Sequence, residues 1–173
     1  MFNSMKLNLG CGLTRIPEFT GVDIIKTPAT DIVHDLNIFP YPFSDNSAEE
    51  IILDNVLEHL DDTIKVMEEL YRIAKPAALI KVYVPYFKSN SAFTDPTHQH
   101  FFTETSFKYF AAEHPLHFYT HANFKVLQAK LINHTQYRDA KHLLRNLLPC
   151  KKILNYFLFN IYDEIHFELE TLK

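Results

Sequence analysis

Short apolar runs separated by polar turns fill the first half of the chain, and this alternation predicts the buried strands of a parallel sheet. The first run, Lys6 to Leu9, ends in a Gly-Cys-Gly turn, and the run from Ala78 to Val84 ends at Pro85. Three shorter runs lie between these two. The predicted strands of this half cover 6–9, 21–25, 31–33, 50–53 and 78–84.

One helix is predicted between the last two of these strands. Apolar residues recur there at helical spacing, Asp61 or Asp62 can cap the first turn, and Pro76 stops the helix after Lys75. Further elements follow in the second half of the chain. They are a short helix at 107–112, strands at 124–132 and 165–172, and between these strands a helical stretch at 141–161 that Pro149 interrupts.

The helical stretch at 141–161 carries leucine, isoleucine and phenylalanine residues at helical spacing, a pattern that in most proteins packs against a core. We therefore expect it to pack on the core. Lys151 and Lys152 suggest a second interpretation, because cations at the start of a helix are disfavoured by its dipole. In that interpretation the segment faces an anionic substrate or makes peripheral contact with a membrane surface.

Length and composition are those of one globular domain, with 173 residues of which 47% are hydrophobic and 22% charged. A net charge of −4 and the lack of a block rich in lysine and arginine argue against a nucleic-acid partner. The sequence shows no signal peptide and no apolar run long enough for a transmembrane segment, and its two cysteines, Cys11 and Cys150, are too few for a disulfide framework. A cytoplasmic protein is therefore expected.

Strands that alternate with helices predict an α/β fold whose ligands bind beyond the carboxyl ends of the parallel strands. Gly10 and Gly12 follow the first strand, and Asp23 follows the second. A glycine turn lets a ligand approach the main chain, and a carboxylate can accept both hydroxyls of a ribose, so an adenosine-containing ligand is indicated. Only eight residues separate Gly12 from Gly21, too few for the helix that binds the pyrophosphate of NAD. This spacing favours S-adenosylmethionine.

Several segments, in this order, resemble the class I S-adenosylmethionine-dependent methyltransferases, in the branch similar to the methyltransferase type 11 family. They are LNLGCG, GVD, DIVHDLNIFPYPFSDNSAEEI, DNVLEHL, ELYRIAKPAALIKVYVPY and DPTHQHFFTETSF, and they span Lys6 to about Phe110. The resemblance implies a single Rossmann-like domain over 1–173, with its cofactor half at about 5–84. The implied sheet is mostly parallel and seven-stranded, with a short first crossover and an antiparallel C-terminal strand.

The resemblance also implies which residues bind the cofactor. Structural explanations compete at several of these positions, since Gly10 and Gly12 could form a plain strand-end turn, Asp23 could be a solvated strand end and Asp35 could form an Asx-turn in its own loop. The implied residues are Leu9, Gly10, Cys11 and Gly12 for the methionyl part, Asp23 for the ribose, Asp35 and Leu36 for the adenine, and Asp54, Asn55 and Val56 for the sulfonium end.

Two positions depart from the family pattern. Thr14 stands where a third glycine is usual, and Pro76-Ala77-Ala78 stands where Pro-Gly-Gly is usual before the fifth strand. Because alanine does not easily adopt a positive φ, no positive-φ turn is expected in this segment. These departures suggest an alternative function, a methyltransferase-like protein that binds the cofactor or a partner without catalysis.

Methyl transfer to a hydroxyl needs a group that takes up the acceptor's proton, and near neutral pH this is usually a histidine. His98 and His100 follow the fifth strand in the segment TDPTHQH, and Asp95 could orient one of them. These three are the candidate catalytic residues, against the alternative that hydrogen bonds merely hold the loop. A metal site made of the same three is disfavoured, because their spacing matches no standard site. Glu58 and His59 are expected to anchor the next segment rather than to take part in chemistry.

The acceptor is expected to be a small molecule. Few residues precede the first strand, so its pocket would come from two aromatic-rich regions, about 85–123 and 138–161. Aromatic rings with a few polar groups suit a sugar unit or a lipid-linked intermediate, whereas a phosphate-backbone polymer would call for a basic surface. The sequence therefore predicts methylation of a small-molecule acceptor, with a hydroxyl as the accepting group and no metal.

Overall fold

Seven strands form one mixed sheet in the computed structural model, which describes residues 5–133, 144, 145 and 147–173. The strands are β1 (Met5–Leu9), β2 (Thr20–Asp23), β3 (Ile32–Val33), β4 (Ala48–Asp54), β5 (Ala74–Pro85), β6 (Phe124–Ile132) and β7 (Glu164–Thr171). Their order across the sheet is β3-β2-β1-β4-β5-β7-β6. Neighbours among β1 to β5 are parallel, and β7 runs antiparallel to both β5 and β6. The predicted fold class is confirmed.

The main helix, α1 (Thr63–Ile73), begins where the sequence predicts it, because the side chain of Asp62 accepts a hydrogen bond from the amide of Lys65. Two shorter helices with described bounds follow, α2 (Ser91–Thr94) and α3 (Lys151–Phe157), and Leu144, Arg145 and Leu147 are also helical. None of the helices in the described part of the chain has the length and apolar character that crossing a membrane requires. The described 3-10 turns are Leu57–His59, Ser106–Phe110, which overlaps the short helix predicted at 107–112, and His117–Tyr119.

The crossover from β1 to β2 is short and contains no helix. The amides of Gly10 and Cys11 both donate to the carbonyl of Val22, at 2.8 and 3.0 Å, so the chain after β1 stays attached to β2. The amide of Thr14 donates to the carbonyl of Cys11, and the buried side chain of Asn8 donates from Nδ2 to the carbonyl of Thr14. These bonds give the turn after β1 a fixed shape without a helix.

The segment at the start of β5 differs from the expectation. Ala77 has φ of +58°, and β5 begins at Ala74, earlier than predicted. Thr171 of β7 explains the turn, because its hydroxyl donates to the carbonyl of Lys75 at 2.6 Å and accepts from the amide of Ala78 at 2.9 Å. The expectation that no positive-φ turn would occur here is wrong, since bonds to a buried threonine hold the alanine in that conformation.

The predicted core packing of the C-terminal helical stretch is wrong for most of the residues described. Leu144 and Leu147 are exposed, as are Ile153 and Phe157 of α3, and the exposed fraction of Phe157 reaches 82%. Ile161 is buried as expected. The residues of this stretch that fall outside the described part of the chain are 141–143 and 146.

Polar contacts, rather than an apolar face, attach this stretch to the sheet. Nζ of Lys88 donates to the carbonyl of Asn155 at 2.7 Å, and Nδ2 of Asn155 donates to the hydroxyl of Tyr86 at 2.8 Å. Arg145 makes a buried two-point ion pair with Asp163, at 2.7 and 2.6 Å. Because these contacts hold the stretch in place, its leucine and phenylalanine side chains can stay on the surface.

Candidate cofactor site and the polar cluster beside it

Two glycines after β1 take a positive φ for different reasons. Gly10 has φ of +69°, and a Cβ at this position would lie 2.2 Å from Cγ2 of Val56. The group that approaches the main chain at Gly10 is therefore Val56, from the turn after β4. Gly12 has φ of +51°, and a Cβ there would meet nothing within 4 Å. The main chain at Gly12 is thus accessible to a ligand at the carboxyl edge of the sheet.

Asp23, at the end of β2, is bonded to this glycine turn. Its Oδ2 accepts a hydrogen bond from the amide of Gly12 at 2.8 Å, and its Oδ1 accepts one from the amide of Ile25 at 3.0 Å. Each carboxylate oxygen can accept two hydrogen bonds, so each has capacity for one more donor. Gly12 and Asp23, which the sequence assigned to one ligand, therefore lie side by side.

Three other residues implied by the resemblance are buried. Leu9, Cys11 and Leu36 are 0%, 4% and 5% exposed as whole residues, so Leu9 offers a ligand no surface and the other two offer very little. Asp35 is half-buried, and its Oδ1 accepts a hydrogen bond from the amide of Asn37 at 2.9 Å. This bond is the Asx-turn that was the structural alternative for Asp35, and it leaves the second carboxylate oxygen for another contact.

The turn after β4 joins the ends of three strands. Asn55 has φ of +53°, and its amide donates to the carbonyl of Tyr83 in β5 at 2.9 Å. Its Nδ2 donates to Oδ1 of Asp54 at 2.9 Å and to Oε1 of Glu164 in β7 at 3.3 Å. Asp54 and Asn55 are themselves exposed at this edge. The residues implied for the sulfonium end therefore lie where β4, β5 and β7 meet.

Glu58 follows in the next 3-10 turn and is almost completely buried, with 1% of its surface exposed. Among the residues that the structure describes, neither of its carboxylate oxygens has a hydrogen-bond partner. Burial raises the pKa of Glu58 to about 7, and the negative charges of Glu164, Asp54 and Asp95 act in the same direction. A buried polar group without a partner is uncommon in proteins, and it indicates either a function or a missing ligand.

The segment TDPTHQH is held against this turn by main-chain bonds. The carbonyl of Glu58 accepts from the amides of Gln99, at 2.8 Å, and His100, at 3.2 Å. The ring of His100 adds a third bond, because its Nε2 donates to the carbonyl of Leu60 at 2.8 Å. The side chain of His100 therefore helps to attach the loop, and His98 is the predicted histidine whose ring faces Glu58.

His98 has a defined tautomer. Its Nδ1 lies 2.9 Å from the carbonyl of Ala92, and since a carbonyl can only accept, Nδ1 must carry the proton. The lone pair is then on Nε2, which lies 3.9 Å from Oε1 of Glu58. The ring of His98 also packs edge to face with that of His59, with 4.7 Å between the ring centroids.

His59 has the same tautomer for a related reason. The hydroxyl of Thr97 donates to Oδ1 of Asp95 at 2.7 Å, so its oxygen accepts from Nδ1 of His59 at 2.9 Å. The sequence suggested that Asp95 orients His98 or His100. In the structure the carboxylate of Asp95 is bonded to Thr97 and acts through it on His59, because the loop turns back on itself after Pro96.

Sequence reasoning missed Glu58 and His59 as part of a site and gave them only an anchoring role. The main chain of Glu58 does anchor the neighbouring loop, but its side chain, with those of His59 and His98, forms a cluster of potential ligand atoms. The available signal was an acid followed directly by a histidine after a strand whose carboxyl end was already assigned to a ligand.

An apolar cleft of about 300 Å³ lies beside His100. It runs between the start of α1 and the aromatic segment after the histidines, with Ile64, Phe101, Phe107 and Tyr109 in its lining. This lining falls within the region that the sequence assigned to the acceptor. Glu58, His59 and His98 are not among the lining residues, so the cleft is separate from the polar cluster.

The strand order, the antiparallel β7 and the glycine turn bonded to an acid after β2 define the fold of the class I S-adenosylmethionine-dependent methyltransferases. Residues 7–81 of the chain match the family described as Methyltransferase domain. The resemblance predicted from the sequence is confirmed by this match and by the fold, and both agree with S-adenosylmethionine as the cofactor. No curated protein matches the sequence.

Three solved structures illustrate the similarity of fold. A SAM-dependent methyltransferase from Archaeoglobus fulgidus is 17% identical, with a TM-score of 0.61 over 98% of this chain and 87% of that one. A chain of the Haloferax volcanii complex between the Trm112 methyltransferase activator and a methyltransferase is 12% identical, with a TM-score of 0.62 over 98% and 83%. Phosphoethanolamine N-methyltransferase 2 of Haemonchus contortus, in complex with S-adenosyl-L-methionine, is 15% identical, with a TM-score of 0.59 over 100% and 50%.

Proposed function

We propose that the protein is an enzyme that transfers the methyl group of S-adenosylmethionine to a hydroxyl of a small-molecule acceptor. The observation that carries this proposal is the pair formed by Gly12 and Asp23. An accessible glycine main chain bonded to a carboxylate at 2.8 Å provides both the close approach and the hydrogen-bond acceptors that an adenosine-containing ligand needs. The family match over 7–81 supports the same assignment.

In this proposal Asp23 accepts the two ribose hydroxyls through its remaining lone pairs, and the main chain of 10–12 contacts the methionyl part. The exposed side chain of Ile24, directly after Asp23, provides an apolar surface for the adenine. Asp35 and the main chain of Leu36 contact the edge of the same ring. Sequence reasoning did not include Ile24, although an apolar residue next to the ribose-binding acid was visible in GVDII.

Transfer of the methyl group is an in-line displacement. A lone pair of the acceptor oxygen forms the new bond to carbon while the carbon–sulfur bond breaks, and S-adenosylhomocysteine leaves. Asp54, Asn55 and Val56 hold the sulfonium end, next to the turn that carries Glu58. His98 takes up the proton of the acceptor hydroxyl at Nε2, whereas Asp95 and His100 keep the loop in place. The chain contributes mainly by aligning the two reactants.

Calorimetric titration tests the cofactor. S-adenosylmethionine and S-adenosylhomocysteine should bind and raise the melting temperature, whereas NAD should do neither. Asp23→Asn should weaken binding by about 10-fold or more, because it removes the charge from the acceptor of two hydrogen bonds. Glu113→Gln, the equivalent change from acid to amide at an exposed position, is the matched control and should bind S-adenosylmethionine normally. Binding of NAD with no binding of either methionine derivative would exclude the proposal.

The proton acceptor has a separate test. His98→Ala should leave cofactor affinity unchanged and slow methylation of a hydroxyl acceptor by roughly 10²–10⁴-fold. His114→Ala provides a histidine control outside the site. Normal turnover of the His98→Ala variant would remove His98 from the mechanism.

A second candidate function is a methyltransferase-like protein that binds the cofactor, or a partner protein, without methyl transfer. The departure at Thr14 from the family's glycine pattern motivates it. The similar Haloferax volcanii chain belongs to a complex with a methyltransferase activator, which supports the binding of a partner protein but not the lack of methyl transfer. Cofactor binding without turnover against a broad panel of sugars and lipid-linked alcohols favours this candidate. The acceptor class, a cytoplasmic location and peripheral contact with a membrane stay predictions.

A further inference from the structure

We propose that Glu58, His59 and His98 bind a divalent transition-metal cation, and that its open coordination position takes the oxygen of the acceptor hydroxyl. One potential ligand atom from each of these side chains lies within 4.8 Å of the other two. Zinc ligands lie about 2.0–2.2 Å from the metal, so small rotations of the three side chains are enough to enclose one ion. The role of the cation rests on the proposed methyl transfer and replaces the proton uptake by His98 described there, whereas the binding of the cation depends on neither.

The carboxylate of Glu58 is an independent indication of a cation. It is 1% exposed, and within the described ranges neither oxygen has a hydrogen-bond partner. A buried carboxylate is costly unless it is paired or coordinates a metal. The negative charges of Glu164, Asp54 and Asp95 add to that of Glu58, so the electrostatic field at this position attracts a cation.

Both histidines already have a tautomer that suits a metal ligand. Nδ1–H of His98 is bonded to the carbonyl of Ala92, and Nδ1–H of His59 is bonded to Thr97, which is bonded in turn to Asp95. Histidines that bind metals almost always donate their second ring N–H in this way, which fixes the ring and raises its basicity. Each ring therefore presents the lone pair of Nε2. The hydrogen bonds of Thr97 and Asp95 would then fix the ring of His59 as a ligand, in addition to stabilising the loop.

The types of ligand atom indicate which metal this site would bind. One carboxylate with two imidazoles is a set found in catalytic zinc sites, where three protein ligands leave one position open. Mg²⁺ and Ca²⁺ prefer sets made entirely of oxygen. The sequence disfavoured a metal site of Asp95, His98 and His100. The present site retains only His98 from that set and replaces the other two with residues from the turn after β4.

The cation would change how the proton leaves. A hydroxyl that coordinates such an ion loses its proton to solvent near neutral pH, because the positive charge stabilises the alkoxide. The alkoxide oxygen then forms the bond to the methyl carbon, and the electron pair of the carbon–sulfur bond stays on sulfur. His98 acts here as a ligand, so a chelator should abolish turnover, whereas a simple proton acceptor would be insensitive to it.

Metal binding can be measured on chelator-treated protein without cofactor, by calorimetric titration with Zn²⁺ and by visible absorption with Co²⁺. We expect one ion per chain and Co²⁺ bands typical of a site with nitrogen and oxygen ligands. Glu58→Gln and His98→Ala should each weaken Zn²⁺ binding by at least about 100-fold, and Thr97→Val by about 10-fold. His121→Ala is the matched control, because the exposed His121 forms an imidazole–carboxylate pair with the half-buried Glu68, 3.3 Å away, elsewhere in the molecule.

Wild-type protein that takes up no Zn²⁺, or that binds it as tightly after Glu58→Gln, would overturn the proposal. If Glu58→Gln fails to fold, His59→Ala gives the same test at a partly exposed position. Titration with S-adenosylmethionine separates the two proposals. Cofactor binding without Zn²⁺ binding leaves the proposed function intact and excludes the metal site. Zn²⁺ binding without cofactor binding supports the metal site and excludes the proposed function.

Discussion

The amide of Gly12 and Oδ2 of Asp23 lie 2.8 Å apart, and this bond ties the turn after β1 to the end of β2. No helix holds the turn, since the crossover between the two strands has none. Its shape depends instead on a few main-chain bonds, including those from Gly10 and Cys11 to the carbonyl of Val22. Single substitutions in this turn should therefore have distinct and measurable effects.

Gly10→Ala should destabilise the protein more than Gly12→Ala. A positive φ costs alanine about 1–2 kcal/mol at either position. Only at position 10 does the new Cβ also overlap Val56, and such overpacking adds about 1–3 kcal/mol. Urea unfolding measures the difference. Val56→Ala in the Gly10→Ala background should restore part of the loss, and equal effects at the two glycines would contradict the predicted clash.

Ala77→Gly should stabilise the protein by about 0.5–1 kcal/mol, because glycine adopts a positive φ without the strain that alanine bears there, less its entropic cost. Thermal and urea unfolding are the measurements. Ala112→Gly, at an exposed position without a positive φ, is the matched control and should destabilise slightly. A loss of stability in both variants would show that the turn at Ala77 relaxes in solution.

The stability of the metal-free protein, with a chelator present, should fall as the pH rises from about 4.5 to 8. Burial raises the pKa of Glu58 from its ordinary value of 4.5 to about 7, so between these values the folded state binds the proton more tightly than the unfolded chain. The stabilisation that comes from this proton is fully present below pH 4.5 and is lost as the pH rises above about 7. It amounts to at most about 3 kcal/mol. Urea midpoints across this range measure it. Glu58→Gln should flatten the profile, and unchanged pH dependence in this variant would assign the effect to another group.

Phe157→Ser should leave the free energy of unfolding within about 0.5 kcal/mol of wild type, because its side chain is 82% exposed. Ile161→Ser, only a few residues away but buried, should cost about 2–5 kcal/mol. Chemical denaturation of both variants checks the pair. A large loss of unfolding free energy in Phe157→Ser would instead support the core packing that the periodicity predicted. Weaker binding of this variant to anionic vesicles would support the membrane interpretation.

The parallel half of the sheet could be predicted because its signals are local. The apolar runs, the glycines after β1 and the cap at Asp62 each act within a few residues, and the structure confirms the elements that they predict. The turn at Ala77 could not be predicted, because local preference opposes it and two bonds to the distant Thr171 override that preference. The exposure of Phe157 could not be predicted either, because apolar residues at helical spacing give the same pattern whether they face a core or solvent.

The polar cluster shows the same limit at the candidate site. Glu58 and His98 are far apart in sequence, and they meet only because the carbonyl of Glu58 binds the amides of Gln99 and His100. Nothing in the spacing of TDPTHQH reveals that pairing. The sequence therefore grouped His98 with Asp95 and His100, whereas the structure brings its ring to Glu58 and His59.

The position of β7 affects how the molecule is made. β7 follows β6 in sequence, yet it lies between β5 and β6, and β6 pairs with no other described strand. During synthesis β6 therefore leaves the ribosome with nothing to pair with, and one edge of β5 stays open until residues 164–171 emerge. Pairing between strands distant in sequence is slow, and unpaired edges are prone to aggregation. The nascent chain is thus most exposed to misassembly between the emergence of β6 and that of β7, when β6 is unpaired and one edge of β5 is open.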